Sequence, residues 1–135
     1  MIVLDTNVVS EWIKPAARVL EWVDSQTAES LYITAVTRAE LRFGALRLPN
    51  GKRKNELAAQ LERVLELFKD RTLAFDAAAA DQLAQMAADC EKSGRRAVAP
   101  DAYIAACAAA QGFAVATRNV RRLEYLSVRL INPWG

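Results

Sequence analysis

Asp5, Glu40 and Asp101 are the residues of this chain whose type and placing could carry chemistry. Asp5 follows the apolar run Ile2-Val3-Leu4, Glu40 lies just past Leu31-Tyr32-Ile33-Thr34, and Asp101 opens a helix beside Pro100. All three are expected at helix N-termini, where strand gives way to helix or a helix begins. The chain has no histidine, which removes Ser-His-Asp and Cys-His mechanisms, His-Glu-x-x-His zinc sites and any imidazole base. A cluster of carboxylates remains, and its natural use is to hold a hard divalent ion such as Mg²⁺ or Mn²⁺ through oxygen. Such an ion acidifies a bound water, aims it at phosphorus and offsets charge gathering on the phosphoryl oxygens.

Each acid also has a purely structural use. Asp5 and Asn7 suit helix caps, and Thr37-Arg38-Ala39-Glu40 matches a capping box in which Glu40 reaches back to a backbone N–H. Asp101 could simply complement the dipole of the helix it opens. The chemical use requires the three to share one crevice, which an open parallel sheet provides outside the carboxyl ends of its strands.

The elements that would position them follow from hydrophobic spacing. After the first strand, Val8, Val9, Trp12 and Ile13 recur at helical spacing, Pro15 should end or kink that helix, and Ala16 to Val23 restarts it. Leu31 to Thr34 is rich in β-formers, and a helix opens at Thr37-Arg38-Ala39-Glu40-Leu41. Pro49-Asn50-Gly51 marks a turn into a long amphipathic helix through Leu57, Leu61, Val64, Leu65 and Phe68, predicting a helical hairpin. Thr72 to Phe75 is a candidate third strand, and an alanine-rich helix follows to Ser93-Gly94. The helix opened by Pro100-Asp101 ends at Gly112; Phe113 to Thr117 and a weaker Val128 to Ile131 are the last strands. Strands alternating with long helices predict an α/β fold with a mainly parallel, five-stranded sheet covered on both faces.

The 135 residues suit one domain over 1–135. No stretch approaches the roughly 20 apolar residues of a membrane helix, and the short apolar start lacks the features of a signal peptide, so no membrane association and a cytoplasmic location are expected. Cys90 and Cys107 fit no metal spacing and read as plain buried cysteines. A net charge of +2 (18 basic, 16 acidic) is too small to identify a nucleic-acid partner.

Four blocks in order resemble the PIN-domain family. Met1 to Trp12, MIVLDTNVVSEW, is similar to its opening strand and Asp-Thr-Asn; Ile33 to Leu41 resembles the block carrying a metal-binding glutamate; Ala99 to Ala106 resembles the Asp-x-x-Ile-Ala-Ala helix; Ala116-Thr117-Arg118-Asn119 resembles the block that follows the fourth strand. The ending Ile131-Asn132-Pro133-Trp134 resembles that of VapC-type toxins, close to the FitB-like branch. The resemblance implies a PIN-like α/β/α sandwich and a metal-dependent endoribonuclease acting as the toxin of a toxin–antitoxin pair. Asp5, Glu40 and Asp101 would bind Mg²⁺ or Mn²⁺ and cut RNA, with Asn7, Thr117 and Asn119 as polar supports. A cognate antitoxin covering the pocket, a homodimer and a larger toxin–antitoxin assembly are implied as well.

Asn119 stands where many members carry a fourth acid, and Arg122 where many carry another aspartate; one well-occupied metal site is therefore expected, with Glu124 a remote substitute. Arg118, Arg121 and Arg122, following the fourth strand, and Arg38 and Arg42, beside Glu40, are the candidate RNA-binding cations. Lys52 to Lys54 reads equally as a solvated helix face. Trp12, Trp22, Tyr32, Phe43 and Phe68 fall at core-like spacing, with Trp12 the candidate exception. A haloacid-dehalogenase-type phosphatase needs an aspartate where Asn7 stands, and a receiver domain built on Asp76 lacks a lysine at the end of a late strand. The stronger rival is a catalytically weak PIN-like subunit that binds nucleic acid together with a partner protein.

Overall fold

Residues 1–14 and 18–135 are described by the computed structural model; the predicted break at Pro15 and the restart at Ala16 lie outside them. The strands are β1 (Ile2–Leu4), β2 (Leu31–Thr34), β3 (Thr72–Leu73), β4 (Ala114–Ala116) and β5 (Leu130–Ile131). The helices are α1 (Thr6–Ile13), α2 (Arg18–Asp24), α3 (Ala35–Leu46), α4 (Lys52–Leu67), α5 (Ala77–Lys92), α6 (Asp101–Gln111) and α7 (Val120–Leu123). All five strands pair in parallel in the order β3-β2-β1-β4-β5. The chain runs outward from β1 through β2 to β3, then crosses back to β4 on the other side. The crevice between β1 and β4 is thus the switch point at which parallel sheets bind ligands.

Strand alternation divides the core into two faces. Leu4, Leu31, Ile33 and Ala116 point into one layer with Val8, Val9, Val19, Leu61, Leu65 and Phe68 of the α1–α4 side. Val3 and Val115, one residue out of phase, meet Ile104 and Ala108 of α6 on the other face. Alanine and cysteine let helices approach closely, and the buried run Ala102, Ala105 and Ala106 brings α6 against Met86 and Cys90 of α5. Both cysteines are buried and unpaired, as expected; burial, with Asp76 nearby, pushes the Cys107 thiol up to about 11. No helix among the described residues is long and apolar enough to cross a membrane.

Four details differ from expectation. The third and fifth strands are shorter, because at the sheet edges only Thr72–Leu73 and Leu130–Ile131 find a ladder partner. The short α7, of 4 residues, was not foreseen, being too brief to display a helical period. Phe43 is 64% exposed, not buried, and lies beneath the Arg47 guanidinium. Trp12, the candidate exception to core packing, is half-buried and packs against the core, edge-on to Phe68 at 5.8 Å.

Candidate active site

Asp5 is fixed by the backbone register. Leu4 pairs with Ala116 across β1 and β4, and the Asp5 N–H donates to the Ala116 carbonyl at 2.9 Å. The next residue of each strand, Asp5 and Thr117, therefore stand side by side. The Thr117 hydroxyl donates to Asp5 Oδ2 at 2.7 Å, Asn7 Nδ2 donates to the same oxygen at 3.2 Å, and the Thr6 N–H donates to Oδ1 at 2.8 Å. Asp5 does cap α1, so the structural use is real, yet the residue is only 3% exposed. Burial raises its pKa; the bond from Thr117 opposes that rise, and the charge of Asp101 adds to it.

Glu40 is not the end of a capping box. Thr34, the last residue of β2, caps α3 by accepting from the Thr37 N–H at 3.1 Å. The helix begins two residues earlier than its Thr37 signal suggested, and Glu40 lies inside it. Glu40 Oε1 instead accepts from the Thr6 hydroxyl at 2.6 Å, and that hydroxyl also lies 3.0 Å from Thr37 Oγ1. Thr6 was missed in the sequence; its only signal was its place between Asp5 and Asn7. Desolvation raises the Glu40 pKa, the Thr6 bond lowers it, and Asp5 and Asp101 raise it further. Thr6, between Asp5 and Asn7, therefore links Asp5 at the start of α1 to Glu40 of α3.

Asp101 opens α6 with a side chain 13% exposed. Its Oδ2 is buried and accepts no hydrogen bond, while Arg122 Nη2 approaches it to 3.1 Å. Asn7 ties α1 to the segment after β4: its Oδ1 accepts from the Arg118 N–H at 3.2 Å and its Nδ2 donates to Thr117 Oγ1 at 3.3 Å. Asn119 caps no helix with its side chain; its N–H donates to Thr117 Oγ1 at 3.0 Å. Glu124 is exposed at the end of α7, and Asp76 caps α5 through the Ala79 N–H at 2.9 Å.

The candidate cations separate into different settings. Arg118 stacks over Trp134 at 4.3 Å, Arg121 is exposed and in no ion pair among the described residues, and Arg122 meets Asp101. Arg42 pairs with Glu62 of α4, whose pKa is lowered by that hydrogen bond and, less, by Arg38. Lys54 donates to the Leu46 carbonyl at 3.0 Å, and Lys52 lies 3.8 Å from Glu56. From Thr6 and Glu40 a groove of about 460 Å³ runs between α1, α3 and α4, walled by Ser10, Leu41, Leu57 and Gln60. Gly44 lies in it, and a Cβ there would meet nothing within 4 Å.

The donor chemistry suits a hard divalent ion, for its candidate ligands are oxygen atoms of carboxylates, hydroxyls and the Asn7 amide, and Asp101 Oδ2 accepts no hydrogen bond, with Arg122 its neighbouring cation. The cage is not closed, however: among the described residues no three acidic, histidine or cysteine side chains already surround one ion position.

Glu40→Gln is expected to stabilise the ion-free protein, because Gln keeps an acceptor for Thr6 while removing a charge that Asp5 and Asp101 oppose. Glu40 has a folded pKa above its ordinary 4.5, so ionisation weakens the fold as pH rises through the folded value. The variant should therefore melt about 2–4 °C higher at neutral pH and the gap should close below pH 4.5. Thermal melts in chelator at both pH values check this, and a gap that persisted in acid would contradict it.

The family model for "PIN domain" matches residues 2–126. The chain is 46% identical to the "VapC ribonuclease Y4jK" of Sinorhizobium fredii, covering 99% of this chain and 98% of that one. It is 43% identical to "Toxin FitB" of Neisseria gonorrhoeae, with 99% of each chain covered. The crystal structure of FitAcB from Neisseria gonorrhoeae superposes with a TM-score of 0.93 over 100% of this chain and 99% of that chain, at 43% identity. VapBC-5 from Mycobacterium tuberculosis, of the VapBC family of toxin-antitoxin systems, is 30% identical with a TM-score of 0.69 and 96% of each chain covered. With the parallel sheet, the acids at its switch point and matches of this extent in agreement, the chain belongs to the PIN-domain family.

Proposed function

We propose that the protein is a Mg²⁺- or Mn²⁺-dependent endoribonuclease that acts as the toxin of a toxin–antitoxin pair. The observation that carries this is Thr6, which donates its N–H to Asp5 and its hydroxyl to Glu40 and so ties the two acids together, along with a buried Asp101 oxygen that accepts no hydrogen bond. Similarity to a relative named a VapC ribonuclease and another named toxin FitB supports the substrate and the role. The chemistry supplied by the divalent ion is neutralisation at the phosphoryl oxygens and acidification of water. Asp5, Glu40 and Asp101 hold it. Thr117 and Asn7 keep Asp5 in one rotamer by donating to Oδ2, and Thr6 does the same for Glu40. The assay is RNA cleavage by antitoxin-free protein with Mg²⁺, with Mn²⁺ and with chelator. Cleavage that chelator left untouched would overturn the metal-dependent reading.

Arg118 and Arg121 bind the RNA backbone in this scheme. Stacking on Trp134 fixes the plane of the Arg118 guanidinium and leaves its in-plane N–H donors for phosphate. Replacing both by Ala in an Asp5→Asn background should reduce the salt slope of single-stranded RNA binding by about 0.7 per lost contact. Filter binding across a salt series measures it; an unchanged slope would remove both residues from the interface.

The antitoxin is proposed to occupy the groove between α1, α3 and α4, whose apolar walls lead to Glu40. A homodimer is proposed through Phe75 and Tyr103, stacked at 5.1 Å and 38% and 40% exposed. The second reading, a catalytically weak subunit, draws on Arg122 neutralising Asp101 and on the uncharged Asn119. Absence of cleavage with either ion, alongside intact RNA binding, would favour it.

A further inference from the structure

Arg122 reaches Asp101 from a solvent-exposed stem: its side chain is 58% exposed, that of Asp101 13%. The contact is Coulombic and not a directed bond, since Nη2 lies 3.1 Å from Oδ2 yet that buried oxygen accepts no hydrogen bond. An acceptor shut away from water and left without a donor is held at a cost, and a nearby positive charge offsets only part of it. The same oxygen is the one that a cation entering the cleft would use. Arg122 is carried by α7, which follows β4 and Thr117 closely in the chain, so that its guanidinium can reach Asp101.

We propose that Arg122 is a built-in competitor for the divalent ion: it neutralises Asp101 in the ion-free protein, and must leave for an ion to bind. This rests on the proposal that Asp5, Glu40 and Asp101 form the metal site. It also accounts for three acids that, among the described residues, surround no common point in the ion-free protein.

Arg121 provides an internal control, because it lies one residue away, is exposed and forms no ion pair among the described residues. Arg121→Gln and Arg122→Gln change the net charge equally, so long-range electrostatics alone would alter ion affinity alike. Isothermal titration with Mn²⁺, without RNA, compares them with the unsubstituted protein, Arg122→Lys and Asp101→Asn. Arg122→Gln is expected to bind about 3- to 10-fold more tightly, from the range of a partly exposed ion pair. Arg121→Gln should stay within about twofold, and Arg122→Lys, which keeps a competing charge, should resemble the unsubstituted protein. Equal tightening in the Arg121 and Arg122 variants, or none in either, overturns the competition. Mn²⁺ binding undiminished by Asp101→Asn overturns instead the metal-site assignment on which it rests.

Discussion

Asp101→Asn should lower RNA cleavage by about 10³-fold or more, since an ion's contribution of several kcal/mol to the transition state corresponds to that factor. The substitution is close to isosteric, and Asp101 Oδ2 accepts no hydrogen bond that an amide would forfeit. The folded protein should therefore survive, with a melting temperature within a few degrees of the original. Asp5→Asn should be as inactive but less stable. Asp5 receives donors from Thr6, Thr117 and Asn7, and an amide presents an N–H₂ where two of those donors point. Single-turnover cleavage of a defined RNA, read beside melts of each variant, separates the two effects. Wild-type rates in folded Asp101→Asn would remove this residue from the chemistry.

Much of the fold was legible because its signals are local and repeated. The apolar run Ile2-Val3-Leu4, the β-formers of Leu31-Tyr32-Ile33-Thr34, apolar spacing along α4 and the helix-ending Gly112 each indicate an element without tertiary information. What escaped depends on contacts between distant segments. Thr34 and Thr37 both fit the start of a helix, and the choice fell to Thr34 because its strand position lets its hydroxyl meet the Thr37 N–H. Phe43 has the spacing of a core residue, but α3 turns that face outward.

The candidate site divides in the same way. Asp5, Glu40 and Asp101 were nameable from residue type and place and Asn7 and Thr117 from the family resemblance, whereas Thr6 was not, since its bond to Glu40 spans α1 and α3. The three arginines after β4 looked alike in the sequence. Only packing distinguishes Arg118 on an indole, Arg121 in solvent and Arg122 against a carboxylate.

Thr117→Val should cost about 2–3 kcal/mol of stability at neutral pH, the range for stripping a charged, buried acceptor of its donor. Val matches the shape of Thr, so little packing is lost at this fully buried position. What disappears is the hydroxyl that donates to Asp5 Oδ2 at 2.7 Å and accepts from the Asn119 N–H at 3.0 Å. The pH dependence identifies the cause. Asp5 already has a pKa above its ordinary 3.8, with the Thr117 bond holding it down; without that bond it rises further. A raised carboxyl favours the folded state below its unfolded pKa and loses that contribution as pH climbs through the folded value. The deficit of Thr117→Val should thus be smallest below pH 3.8 and widen toward neutrality. Thr117→Ser, which keeps the hydroxyl, should recover most of it. Urea unfolding in chelator at acid and neutral pH decides the matter: a deficit equal at both would assign the loss to the Asn119 N–H and to packing, and would detach Thr117 from the charge of Asp5.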